Sequence, residues 1–267
     1  MKSAATPTRV LRVNWDAYAK VYDSLTALTP YRELMEHAAA LVAPTPDMHI
    51  LDAGSGTGNA TAAILALARW SERKPTVIGI DRSHEMLEIA RAKCGLAAMF
   101  EHADLDAALP YARETFDAIV CINALYAVED PLRTLREFAR VLRIDGALVI
   151  ATPKRGYENG LVLKAHAKDD GEDAPWLGAH ASPEREHTLI SRAFPDNPIV
   201  ARAMSAIARH NRAIAQDTRF HFFDAREFTA LAQKAGFVIN ALGSIYADQC
   251  HLARLTRSAK PAGRSAT

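Results

Sequence analysis

No charge of either sign is in excess: 32 lysines and arginines face 31 aspartates and glutamates. A nucleic-acid binder gains affinity by neutralising phosphates, usually with a basic surplus or stripe, so nucleic acid is not expected as a partner. Cysteine is scarce. Cys94, Cys121 and Cys250 lie far apart and form neither a CxxC pair nor a metal-ligand spacing. That leaves disulfide scaffolds and zinc modules without support, and predicts reduced thiols in a cytoplasmic protein with no bound metal. The most apolar run, Ala118 to Val128, is far short of the ~20 residues a membrane helix needs. Met1 to Val13 holds basic residues but no apolar stretch of signal-peptide length. Internal repeats and low-complexity tracts are also missing.

What is present is an alternation of apolar runs with helical patterns, the signature of βαβ units and a parallel sheet. Strands are expected at His49–Asp52, Thr76–Asp81, Ala98–His102, Phe116–Ile122, Ala147–Ala151, Val238–Leu242 and Tyr246–Leu255. Helices are expected at Trp15–Leu25 and Tyr31–Val42, then from a glycine loop to about Trp70. Further helices are expected at Ser83–Cys94 behind a Ser83 cap, at Pro131–Leu142, around Pro198–Ala215, and from an Asp224 cap to Ala235. The fold class is therefore α/β, with a seven-stranded, mostly parallel sheet covered by helices on both faces. About 65 residues interrupt the pattern after the fifth strand, too many for a plain connection in a compact domain. The expected organisation is a core over 14–153, an inserted helical substrate lid over 154–218, and the rest of the core over 219–257. Residues 1–13 and 258–267 are expected to be disordered.

The most informative stretch is Asp52-Ala53-Gly54-Ser55-Gly56-Thr57-Gly58-Asn59. Alternate glycines between a strand and a helix allow backbone angles closed to other residues and let a ligand approach the main chain. A dinucleotide fingerprint, G-x-G-x-x-G/A, fails from Gly54 because Asn59 fills the last position, and fails from Gly56 because Thr61 does. No Walker lysine follows. Asp81 ends the second strand 23 residues past Gly58, where a carboxylate can accept hydrogen bonds from a ribose diol.

Asp52, Gly54, Gly56 and Gly58 match D/E-x-G-x-G-x-G, and in this the chain resembles the class I (Rossmann-like) S-adenosylmethionine-dependent methyltransferases. Asp104-Leu105, Phe116–Val120 with Asn123–Tyr126, and Leu142–Leu148 resemble later motifs of that family, although Ile144 and Asp145 replace its usual proline and glycine. With Tyr18 and Tyr22-Asp23 ahead of the loop, the chain is similar to small-molecule methyltransferases related to the ubiquinone/menaquinone C-methylases. The resemblance implies S-adenosylmethionine as cofactor, on Asp52, Ala53, Gly54, Ser55, Gly56, Gly58, Asp81, Arg82, Met86, Asp104, Leu105 and Asn123, with Tyr18 and Tyr22 near the methionine end. The start of the helix after the loop is expected to favour the methionine carboxylate.

Methyl transfer from a sulfonium needs mainly alignment and exclusion of water, so no triad or metal cluster is required. A base is needed only where the acceptor arrives protonated. Asn123, Tyr126 and His221 are the candidate groups on the acceptor side. The N/D-P-P-Y loop of nucleobase and glutamine N-methyltransferases is not matched, because Ala124 and Leu125 fill its middle. His166, His180, His187 and His210 lie in the insertion, with Arg185, Arg192, Arg202, Arg209 and Arg212 interleaved with acids, and Trp176 and Phe194 are candidate pocket or anchor residues. The acceptor is expected to be a small molecule, at O, N or C. A dinucleotide oxidoreductase and a non-catalytic nucleoside binder are the alternatives, and the oligomeric state is not legible.

Overall fold

The computed structural model describes residues 13–69, 72–167 and 183–258. Its first elements are α1 (Trp15–Tyr22), a 3-10 turn (Asp23–Ala27) and α2 (Thr29–Val42). There follow β1 (His49–Ala53), α3 (Asn59–Leu67), β2 (Thr76–Asp81), α4 (His84–Cys94), β3 (Met99–His102), β4 (Phe116–Ile122), α5 (Pro131–Val141) and β5 (Leu142–Pro153). Then come α6 (Asn159–Ala167), α7 (Pro183–Ala193), α8 (Pro198–Gln216), α9 (Ala225–Lys234), β6 (Phe237–Ile245) and β7 (Cys250–Arg257). The sheet order is β3-β2-β1-β4-β5-β7-β6, parallel except for β7, which runs antiparallel to both neighbours. The seven-stranded, mostly parallel sheet read from the sequence is the one observed.

Side chains alternate between the two faces of each strand, so each central strand feeds two cores. Ile50, Val120 and Val149 belong to the core under α1, α2 and α6–α8. Leu51, Ile119 and Leu148 belong to the core under α5 and α9, where Leu135, Phe138 and Phe228 are fully buried. The helix caps follow the sequence: Ser83 accepts from Met86 N–H at 3.2 Å, and Asp224 and Glu227 form a reciprocal capping box.

Two places differ from expectation. The turn at 143–146 is a bulge inside β5: between Phe116–Leu142 and Ala118–Ala147, two steps along β4 match five along β5. Asp145, where the family motif has glycine, takes φ 64° there, and Ile144 is left exposed. The last strand begins at Cys250, not Tyr246, because Tyr246, Ala247 and Asp248 are all left-handed (φ 59°, 53° and 63°). Lys154 Nζ holds that turn through Ser244 Oγ (2.5 Å) and Asp248 Oδ1 (2.6 Å).

The insertion after β5 carries α6, α7 and α8, and the last of these packs on α1. Tyr18 stacks on His210 with centroids 4.7 Å apart and donates its hydroxyl to Asn211 Oδ1 at 3.0 Å. Arg212 of α8 pairs with Glu186 of α7. His166 of α6 accepts from Thr29 N–H at 3.2 Å and stacks on Phe194. The readings of Trp70, Trp176 and His180, and of the chain ends before Val13 and after Ser258, lie outside the described residues.

Candidate active site

The strand order reverses between β1 and β4, and a doubly wound sheet binds its ligand outside the carboxyl ends of the strands at such a point. A cleft opens there. Gly54 and Gly56 follow β1, Asp81, Arg82 and Met86 follow β2, Asp104 and Leu105 follow β3, and Asn123 and Tyr126 follow β4; all line the cleft. Tyr18 and Tyr22 line it from α1.

The glycine loop is tied down before any ligand arrives. Gly54 and Ser55 N–H both donate to Ile80 O, at 2.8 and 2.9 Å. Gly56 N–H donates to Asp81 Oδ2 and Ser83 N–H to Asp81 Oδ1, both at 2.9 Å. Each carboxylate oxygen of Asp81 keeps an acceptor site, enough for a diol. Burial pushes its pKa up, while the bonds from Ser83 and Gly56 pull it back. The three glycines serve different ends. A Cβ on Gly54 would lie 2.3 Å from that of Ala124, and one on Gly58 would lie 3.1 Å from Ala90 Cβ. A Cβ on Gly56 would meet nothing nearer than 3.8 Å, so only this glycine leaves room where a ligand can reach the backbone.

Asp52, Ala53, Ser55 and Gly58, expected at the cofactor, do not line the cleft. Asp52 is buried behind the loop, where Oδ2 accepts from Thr61 N–H (3.1 Å) and Thr61 Oγ1 (2.6 Å). Thr61 lies in the first turn of α3, so a protein carboxylate occupies the helix end that the sequence reading assigned to the ligand's carboxylate. Burial pushes the Asp52 pKa up to about 6.

Sequence reasoning missed the clamp that joins α1 to the loop. Asp23 Oδ1 accepts from Thr57 Oγ1 (2.5 Å), Asn59 Nδ2 (3.3 Å) and Lys93 Nζ (2.8 Å). Asn59 Nδ2 also donates to Tyr31 OH at 3.1 Å. The Tyr22-Asp23 pair was the available signal: Tyr22 faces the cleft while the next residue grips the loop. Asp16 meanwhile accepts from Ser83 Oγ at 2.6 Å, fastening the other end of α1 to α4.

Beyond Asn123 the cleft becomes a chamber of aromatic rings. Tyr31, Tyr157, Tyr246 and Phe222, none singled out from the sequence, join Tyr18, Tyr22 and Tyr126, with Cys250 and Asn211. Six of the seven tyrosines therefore line one cavity. Burial raises the pKa of all six, that of Tyr22 to about 12, so their hydroxyls are protonated at neutral pH. Burial also raises the Cys250 thiol. Asn123 is left-handed (φ 51°), a conformation asparagine tolerates, with its N–H on Ala151 O and Oδ1 3.7 Å from Cys250 Sγ. Tyr126 is 6% exposed, and its hydroxyl has no hydrogen-bond partner among the described residues.

His221 does not line the cavity. Its N–H donates to Tyr126 O at 2.8 Å and its ring stacks on Phe223, so the residue that enters the wall is its neighbour Phe222. Among the described residues, no group of three or more His, Cys, Asp or Glu could hold a metal, and no helix is long and apolar enough to cross a membrane.

A family model described as a methyltransferase domain matches residues 44–236. A phosphatidylethanolamine N-methyltransferase of Cereibacter sphaeroides is 41% identical over 105 residues, 38% of this chain and 48% of that protein. A malonyl-[acyl-carrier protein] O-methyltransferase of Laribacter hongkongensis is 30% identical over 226 residues, 75% of this chain and 73% of that protein. The chain spans about half the length of the first of these and of other curated relatives. In fold it is similar to magnesium protoporphyrin IX methyltransferase from Synechocystis PCC 6803 with bound S-adenosylhomocysteine (TM-score 0.56, 16% identity, 91% of this chain and 94% of that one). The dinucleotide-oxidoreductase alternative finds no support in these matches. With the strand order, the glycine loop and Asp81 in place, the chain belongs to the class I S-adenosylmethionine-dependent methyltransferases.

Proposed function

We propose that this chain is a cytoplasmic enzyme that moves the methyl group of S-adenosylmethionine to a small molecule held in the tyrosine chamber. The observation that carries this reading is that one cleft runs from Gly56, Asp81 and Asp104 into that chamber, with Asn123 and Tyr126 at the join. Bound S-adenosylmethionine supplies a methyl carbon on a sulfonium, which an acceptor lone pair attacks in line as the carbon–sulfur bond breaks.

The residues present fit such a group. Asp81 accepts from the ribose hydroxyls, Gly56 lets the ligand lie against the backbone, and Asp104 with Leu105 flanks the adenine. Tyr18 and Tyr22 close over the methionine end, with α1 held down by the Asp23 and Asp16 clamps. Asp52, Ala53, Ser55 and Gly58 act behind the loop by shaping it. The helices of 154–218 serve as the acceptor's cover, since Asn211, Ile214 and Ala215 of α8 line the chamber. Aligning the acceptor and excluding water are the chain's main contributions.

Calorimetry tests the reading. S-adenosylhomocysteine should bind and NAD should not. Asp81→Ala should weaken S-adenosylhomocysteine at least tenfold, since each lost charge-assisted hydrogen bond is worth about 1.5–3 kcal/mol. Binding of NAD in its place, or unchanged affinity in the variant, would sink the assignment.

A further inference from the structure

Resting on the methyltransferase reading above, we propose that the acceptor is an uncharged amine, methylated on its nitrogen lone pair, and that the tyrosine wall accommodates the positive charge of the ammonium product. The chamber's make-up carries this. Apart from tyrosines and Cys250, the ionisable groups that line the cleft among the described residues are Asp81, Arg82, Asp104 and Asp106, and all four come from the ends of β2 and β3. Among the described residues, the acceptor side of the lining therefore offers no carboxylate or imidazole to remove a proton and no lysine or arginine to hold an anion.

Each acceptor chemistry makes a different demand on such a wall. An alcohol or phenol must lose a proton to become a good nucleophile, and a protein base normally takes it. A carbon nucleophile must lose one after attack. A carboxylate needs no base, but in a desolvated chamber it needs a paired cation. A neutral amine needs neither. Its nitrogen–carbon bond forms, the sulfur–carbon bond breaks with its electrons going to sulfur, and the positive charge passes from sulfur to nitrogen. Any proton on the new ammonium leaves to solvent after release.

The wall also suits that charge. Tyr18, Tyr22, Tyr31 and Tyr246 form an edge-to-face chain, with centroids 5.2, 6.3 and 6.1 Å apart and planes crossing at 79°, 85° and 70°. Rings so crossed present faces as well as edges to an enclosed group, and the face of an aromatic ring attracts a cation. Three of the hydroxyls are engaged with asparagines: Tyr18 donates to Asn211 Oδ1 (3.0 Å), Tyr157 donates to Asn159 Oδ1 (3.3 Å), and Tyr31 accepts from Asn59 Nδ2 (3.1 Å). Tyr126, whose hydroxyl has no partner among the described residues, and Asn123 have polar capacity left to orient the amine. Beyond burial, Asp81, Asp23 and Asp52 each raise the Tyr22 pKa.

The test uses the full chain saturated with S-adenosylhomocysteine and three probes of one shape: choline, its uncharged isostere 3,3-dimethylbutan-1-ol, and 3,3-dimethylbutanoate. Ligand-observed NMR titration should rank choline at least tenfold tighter than the alcohol, with the carboxylate weakest. Tyr157→Leu should erase the preference for choline and Tyr157→Phe should keep it. The matching Tyr246 pair takes their place if either variant loses S-adenosylhomocysteine binding. Equal or tighter binding of the alcohol or the carboxylate, or no binding of choline, overturns the inference. Failure of S-adenosylhomocysteine itself to bind overturns the methyltransferase reading instead, so the two failures are distinguishable.

Discussion

The two halves of the cleft are built on opposite principles. On the donor side, short segments at the ends of β1, β2 and β3 hold polar groups in place through the backbone: Asp81 is fixed by Gly56 and Ser83 N–H, and the loop by Ile80 O. On the acceptor side, rings from α1, α2, the β4 end, the segment after β5, the segment before α9 and the β6–β7 turn converge from far apart in sequence. The first half is a frame set by strand geometry, which constrains what chemistry it can hold. The second is a surface set by packing, which can change substrate with few substitutions.

The largest expected effect breaks the donor half alone. Gly56→Val puts a β-branched residue at φ 52° and fills the space beside Tyr22 and Met86. S-adenosylhomocysteine affinity should fall at least 100-fold, about 2.7 kcal/mol, by calorimetry. Gly58→Ala crowds Ala90 and Phe100 instead of the cleft, so it should lower the melting temperature more than the affinity. If Gly58→Ala lost binding as Gly56→Val does while keeping its melting temperature, the division of labour within the loop would be wrong.

Next comes the charge hidden behind the loop. The Asp52 carboxyl titrates at about 6 in the folded chain against an ordinary 3.8, because burial disfavours its ionised form. The folded state therefore takes up the proton more readily than the unfolded one, and this group's stabilisation is complete below pH 3.8 and lost as pH rises through 6. Chemical denaturation of wild type and Asp52→Asn should show the difference between them shifting against wild type by about 2 kcal/mol from pH 4 to 7. A flat difference would mean that Asp52 is solvated, contrary to its burial at 1% exposure.

The glycine-loop end of the cleft was legible in the sequence and the tyrosine end was not, for a physical reason. A glycine loop and a strand-end aspartate are constrained locally, so residue type and spacing carry the information; Gly54, Gly56, Asp81 and Asp104 meet where the pattern puts them. Asp52 matched the same motif but was misplaced, because a motif reports which residue recurs and not which way its side chain turns. Tyr31, Tyr157 and Tyr246 looked like ordinary core aromatics, since nothing local distinguishes a ring facing a cavity from one packed in a core. The remaining clue lay in the count, six of seven tyrosines, and it acquires meaning only once tertiary contacts bring them together.

The smallest effect probes the join between the halves. Tyr126 keeps its ring against Phe220 and Phe222, at 5.5 and 5.9 Å, while its hydroxyl makes no hydrogen bond within the described protein. A hydroxyl that makes no hydrogen bond to the protein adds none to folding, so Tyr126→Phe should change stability by less than about 1 kcal/mol. S-adenosylhomocysteine affinity should stay within twofold, because the ring that borders the donor side remains. Loss of a hydroxyl that served the fold would instead lower the melting temperature. A drop of several degrees in thermal unfolding would therefore reassign Tyr126 from the acceptor's wall to the scaffold, and Asn123 alone would then be left to orient what the chamber holds.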